Sequence, residues 1–444
     1  MSRNPRQHKY ILVYPDHYVL DGQSIFTSIP ITKALEAANP GTILLLNAGT
    51  YGPFGFKPSF GGEQYYVRTL QSTKDQPVVL RGLGNVRIES GQFGGCVSVL
   101  GFEAYVNFEN ITFFGPKDAA ACILIDQLYN DSGIWKFVKS AFNFYNCHID
   151  GGYDHITRTG TNSKWGVLTW GLSTFRWLGG SVKNIKYEHA FYIHTSFDPQ
   201  GVIAIKNVLG RHLGRTFIQQ TDRAIDSPNI FFSDLADPSI WLPEGQNKWI
   251  VENNDVEDTG LNFWGGYALT FTGRHNGEVN ILGNRCITGF NPELTQSIME
   301  NPDYAGYIAQ GKPLYTGNLT ILGLGQDHDK IPGFVQLPHK KANIVDNEFL
   351  IAPGFGDREN AQVACIDDLN FVNNHISKGA NLPLNLNPIK LSGTIQKPIG
   401  MLNGVSSSAI DALPPAMLEQ ALFIFATSTN GVEHSMKYKD ILYQ

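Results

Sequence analysis

Short apolar runs with a two-residue period recur along this chain, each closing on Asn or Gly. Val106-x-Phe108-x-Asn110, Phe142-x-Phe144-x-Asn146, Phe175-x-Trp177-x-Gly179, Ile203-x-Ile205-x-Asn207, Trp249-x-Val251-x-Asn253, Leu319-x-Ile321-x-Gly323 and Leu369-x-Phe371-x-Asn373 share the pattern. Asn280-x-Leu282-x-Asn284 and Asn343-x-Val345-x-Asn347 are weaker copies, polar at the first position. Alternation turns the apolar residues of each strand to one face, and a closing Asn or Gly suits the left-handed backbone of a sharp corner. Asparagines repeated at such a corner can stack into a ladder whose amides satisfy backbone groups that would otherwise be buried unpaired. The amphipathic helices of an α/β barrel are missing, and a β-sandwich does not call for a repeated Asn corner.

Between Phe175 and Gln220 a second kind of strand alternates with the first: His189-Ala190-Phe191-Tyr192-Ile193-His194, then Arg215-Thr216-Phe217-Ile218-Gln219-Gln220. Each kind returns after about 26 to 28 residues, within the range of a solenoid repeat. Equating Phe191 with Phe217 sets His189 under Arg215 and His194 under Gln220, one rung apart at roughly 4.8 Å. Wider gaps between other copies predict excursions at Tyr153–Lys164, Thr221–Asn247 and Asn291–Thr316.

Near the start, Tyr10-Ile11-Leu12-Val13-Tyr14 reads as a strand. Ile31, Ala34, Leu35 and Ala38 share one helical face, and Asn39-Pro40-Gly41 stops that helix. Thr42-Ile43-Leu44-Leu45-Leu46 then runs to Ala48-Gly49-Thr50-Tyr51 as a buried strand. This entry, followed by the repeated corner strands, resembles the right-handed parallel β-helix superfamily of pectate-lyase-like carbohydrate-active proteins and phage tailspikes, over about residues 31 to 376. The resemblance implies an all-β fold, a single-stranded right-handed parallel β-helix. Its parts are a lead-in and capping helix (1–41), the coil (42–380) and an irregular tail (381–444) with a short helix at Pro414–Leu422 that covers the open end or mediates oligomerisation, for example as a trimer.

Composition agrees with many turns and little helix: 46 Gly, 27 Phe and only 17% charged residues. A net charge of −6 argues against a broad nucleic-acid surface. Neither a secretory signal nor a run long enough to span a membrane is legible, so synthesis in the cytoplasm is expected, with release or incorporation into a virus particle as a later step. The five cysteines are widely spaced and lack a C-x-x-C pair, and several sit in apolar runs, which predicts buried free thiols.

Candidate chemistry concentrates between Tyr153 and Arg223, where an acidic chain carries a local cationic excess. Such a patch would attract a uronic-acid polysaccharide, and eliminative cleavage of that polymer needs a cation on the carboxylate, a base for the neighbouring C–H and an acid for the leaving oxygen. Arg215 or Arg211 is expected as the cation, His189 as the base, and Tyr187 or His194 as the acid, with Glu188 beside them. Trp165, Trp170, Trp241 and Trp264 are candidate sugar platforms, and His155, His212 and Arg223 candidate binding groups; Trp177 and Trp249 belong to the core pattern. Hydrolysis is the second enzymatic option, with Asp255, Glu257, Asp258, Glu188 and Asp222 as carboxylates. A glycan-binding or structural β-helix without catalysis, such as a viral spike, is the reading from another class. No cofactor is expected; calcium is the minor alternative, at the loop Gln326-Asp327-His328-Asp329-Lys330, whose two carboxylates alone offer fewer than the roughly six to eight oxygens that the ion takes.

Overall fold

A computed structural model describes residues 9–57, 65–90, 95–115, 120–131, 134–194, 200–221, 248–261, 268–271, 278–288, 322–324, 339–351, 361–372, 374–378, 389–399, 425–427 and 433–435. The described chain is nearly all strand, with one helix, Pro30–Glu36, and its strands stack in three long parallel ladders.

The first ladder contains the corner-pattern strands. Phe142 pairs with Val106 and Phe175, Phe175 with Ile203, Ile203 with Trp249, Trp249 with Val279, and Val279 with Ala342. These residues and their i+2 partners are buried, so one apolar stripe continues from rung to rung. Aromatics stack along it: Phe108 on Phe144 at 4.6 Å and Phe144 on Trp177 at 4.7 Å. Trp177 and Trp249 are both buried, as their inward positions predict. The second ladder starts after the corner, through Thr112–Phe114, Leu209–Leu213, Asp255–Thr259, Arg285–Thr288 and Glu348–Ile351. The third runs through Phe54–Phe56, Val97–Leu100, Ala121–Asp126, Trp165–Trp170, Phe191–His194, Ile218–Thr221, Leu269–Phe271 and Leu322–Leu324.

Corner chemistry follows the sequence at Asn110, Asn146, Asn207 and Asn253, which hold φ between +48° and +55°. Gly179 takes the same corner at φ +80°, and the next residue must also be glycine, because a Cβ on Gly180 would lie 1.8 Å from the Cys147 carbonyl oxygen. Asn146 Nδ2 donates to Asn110 Oδ1 at 2.9 Å across this corner, but these exposed asparagines are not the buried ladder. That ladder is one residue later, at Asn254, Asn284, Asn347 and Asn374, all buried and joined by amide-to-amide bonds of 2.9 Å.

This shift explains the two weak copies. The inward residues there are Val279 and Ile281, then Ala342 and Ile344, with Gly283 and Asp346 at the corner. The expected strand at Leu319–Gly323 also moves: Gly323 pairs with Thr270 on the third ladder, so Asn284 and Asn347 are consecutive rungs although 63 residues apart. At the other end, Ile389–Ile399 still pairs in parallel with Ala361–Val372, past the point where the repeat was expected to stop. The helix expected at 414–422 lies outside the described residues.

At the start of the chain, Tyr10–Val13 stacks in parallel on Ile43–Tyr51 and pairs antiparallel with His17–Leu20. The helix begins with Pro30, whose fixed φ suits a first turn, and buries Ile31, Ala34 and Leu35 against these strands. Cys96, Cys122, Cys147 and Cys286 are buried free thiols, and burial drives their pKa values upward. Among the described residues no helix is long and apolar enough to cross a membrane.

Candidate functional site

The third ladder gathers the titratable and aromatic side chains. Phe191 pairs with Val167 below and Ile218 above, so Phe191 and Ile193 face the core while Tyr192 faces out, in register with Leu168 and Gln219. The expected equivalence of Phe191 with Phe217 is therefore off by one residue. Thr216 takes the place over His189, Thr221 pairs with His194, and Gln220 pairs with the inward Ile193. A single-residue shift in a strand changes the face of every side chain, which is why this error matters.

The corrected register stacks Lys164, Glu188 and Arg215 on three consecutive rungs through the backbone bonds Glu188 N–H to Lys164 O and Arg215 N–H to Glu188 O. Charge alternates up this column. Arg215 Nη1 donates to Glu188 Oε2 at 2.8 Å, and the same oxygen lies 3.5 Å from His189 Nε2. His189 and Arg215 thus meet through Glu188, which lies between them, rather than stacking directly as expected.

His189 is buried, and its Nδ1 has no hydrogen-bond partner among the described residues. Burial, with the charge of Arg215 and the proximity of His194 adding to it, holds its pKa well below the ordinary histidine value. The imidazole is neutral at pH 7. Tyr192 packs between the two histidines, 4.9 Å from the His189 ring and 4.6 Å from that of His194. Trp170 lies 5.3 Å from His194, and Trp165 stacks 6.1 Å from Tyr192, with the Lys164 ammonium 4.4 Å from its own ring centroid.

Tyr192 and Lys164 are the members that the sequence reading missed. Strand alternation was the available signal for Tyr192: with Phe191 and Ile193 inside, its hydroxyl can only project outward. The Lys186 ammonium sits over the rings of both Tyr187 and Tyr153, at 4.7 and 4.8 Å.

Arg211 lies outside the cluster. It stands on the second ladder, in register with Lys183, and binds Asp255 at 2.9 Å and Glu257 at 3.7 Å. Arg285 binds Asp255 and Glu257 as well, so these two candidate carboxylates for hydrolysis are held by arginines. His212 occupies a left-handed corner at φ +53°, between Asn184 Oδ1 at 3.1 Å and Asp258 Oδ2 at 3.4 Å. His155 is buried beside Tyr153, its Nε2 3.0 Å from the Ile185 carbonyl oxygen, and burial lowers its pKa to about 4.

Trp241, Trp264, Asp222, Arg223 and the loop 326–330 lie outside the described residues. Among the described residues, no group of three or more His, Cys, Asp or Glu is placed to hold a metal ion.

No family model and no curated protein matches the chain. Among solved structures it is similar to the A-module of the mannuronan C-5 epimerase AlgE6 of Azotobacter vinelandii, at 12% identity over 83% of this chain and 95% of that one, with a TM-score of 0.35. It is also similar to a mannuronic acid specific polysaccharide family 6 lyase from the human gut microbiota, at 11% identity over 90% and 93% of the two chains, with a TM-score of 0.28. Likeness at this level carries neither an assignment of fold nor an activity.

Proposed function

We propose that the three ladders are the faces of one right-handed parallel β-helix and that the third face binds and cleaves an acidic polysaccharide by β-elimination. The observation that carries this reading is Tyr192 packed between two buried histidines, with the Arg215 guanidinium at their edge. Elimination from a uronate needs the C5 proton removed, its electron pair moved into a C4–C5 double bond, and the C4 oxygen released with a proton. Neutral His189 is a base of suitable state for the first step, and the Tyr192 hydroxyl, or His194, is an acid within the same cluster for the last. Arg215 supplies the cation that neutralises the carboxylate and acidifies the C5–H bond. Trp165 and Trp170, both partly exposed, flank the cluster as platforms for sugar rings.

A second reading has its own support. His189 and His194 are buried, and Glu188 already neutralises Arg215, which suits a face that binds a glycan without cutting it, as on a viral spike. Incubation of the full chain with a panel of uronate polymers separates these readings. Elimination gives an ultraviolet-absorbing unsaturated product; reducing ends without that absorbance mean hydrolysis. Binding without cleavage, in a chain that sizes as a stable trimer, favours the spike and defeats the lyase.

A further inference from the structure

The geometry points to Glu188 as a built-in stand-in for a substrate carboxylate, which the ligand must displace; we propose this on the basis of the acidic-glycan reading above. One oxygen of Glu188 lies 2.8 Å from Arg215 Nη1 and 3.5 Å from His189 Nε2. That is the position a uronate carboxylate must take if Arg215 is to neutralise it beside the base. The Glu188 side chain is 20% exposed and that of Arg215 32%, so the pair faces solvent, where an incoming anion can compete for it. His189 is far less accessible, with 4% of its side chain exposed, and the Glu188 carboxylate covers its Nε2. Swinging Glu188 aside would free a guanidinium fork and uncover the imidazole in one movement. The replacement is one anion for another, so the local charge balance is kept when the ligand carries an anionic group such as a carboxylate and lost when it is neutral. A neutral glycan leaves the original ion pair as the better contact, and the site therefore selects for charge by competition rather than by shape.

A rung-stapling role for the same ion pair predicts the opposite response to mutation, which makes the two separable. Calorimetric titration of the intact protein with a purified uronate oligomer, and with its methyl ester as the neutral control, is the test. Glu188→Gln keeps the size and hydrogen-bonding capacity of the side chain but removes its charge. The variant is expected to bind the free-acid oligomer about three- to fivefold more tightly than the wild type, the scale of a partly exposed ion pair, with no gain for the ester. Arg215→Gln should abolish binding of the acid in either background. Equal or weaker binding by Glu188→Gln, while the wild type binds and Arg215→Gln does not, overturns the stand-in role and leaves the acidic-glycan site intact. Binding that survives Arg215→Gln, or no binding of any uronate by either the wild type or Glu188→Gln, overturns the site itself and the stand-in role with it. Glu188→Ala, checked by circular dichroism, replaces the glutamine variant if that variant fails to fold, and the same gain for the acid alone is expected of it.

Discussion

His189 is buried without a partner on Nδ1 among the described residues, and it feels the positive charge of Arg215 across Glu188. Both keep it neutral, which is the state a proton acceptor needs. His189→Gln should lower turnover of a uronate polymer by about 10²–10⁴-fold, the usual contribution of a positioned base, with the melting temperature kept near that of the wild type. Full activity in that variant would move the base elsewhere. His155 provides a separate, purely structural check. Its pKa falls from 6.5 to about 4 on folding, so the unfolded chain binds its proton first as the solution is acidified. The stability tied to neutral His155 is complete above pH 6.5 and drains away as the pH drops toward 4, an amount of up to roughly 3 kcal/mol. Denaturant titrations across that window should give a shallower pH dependence for His155→Gln; an unchanged slope would mean that the ring is not neutralised by burial.

At the scale of the element, two asparagine columns that look alike in sequence have different work. Asn146 is an exposed corner residue at φ +48°, and glycine occupies the same corner one rung away at Gly179. Asn284 is buried, with its Oδ1 accepting from the backbone and side-chain amides of Asn254 and its own amide donating to Val251 O and Asn347 Oδ1. Asn146→Gly is therefore expected to change stability by less than about 1 kcal/mol. Asn284→Ala strands donors in a dry interior, at about 1–3 kcal/mol for each orphaned group, and should shift the denaturation midpoint clearly. Comparable midpoints for the two variants would refute the assignment of the ladder. The corner pattern itself was legible because apolar alternation and an αL residue both leave marks in the sequence. Which of two adjacent asparagines turns inward was not, since Asn253 and Asn254 both satisfy the local rules.

Over the whole molecule, the net charge of −6 opposes any anionic polymer, so the proposed binding would rest on the short column of Lys164 and Arg215 with the aromatic rings around it. Affinity for a polyuronate should weaken several-fold as salt rises from about 0.01 M to about 0.15 M, where the Debye length contracts from roughly 30 to roughly 8 Å. Salt-independent binding would indicate stacking on Trp165 and Trp170 alone. The spacing of the rungs bears on how such a column is found. Asn284 and Asn347 are vertical neighbours across 63 residues, whereas Asn347 and Asn374 are neighbours across 27. Periodicity counted along the chain mistakes the first of these gaps for two turns, and that is how Gly323 came to be expected on the wrong ladder.

Local physics was enough to determine the strand content, the opening helix, the buried tryptophans 177 and 249, and the stretch where the charged groups collect. These follow from side-chain alternation, turn residues and helix-stop signals, all of which act over a few positions. Register was decided only in three dimensions. Pairing of Phe191 with Ile218 rather than Phe217 put Glu188, not His189, under Arg215, and nothing nearby in the sequence distinguishes those pairings. The choice is made by how the inward side chains of successive rungs pack together, a sum over contacts between residues far apart along the chain.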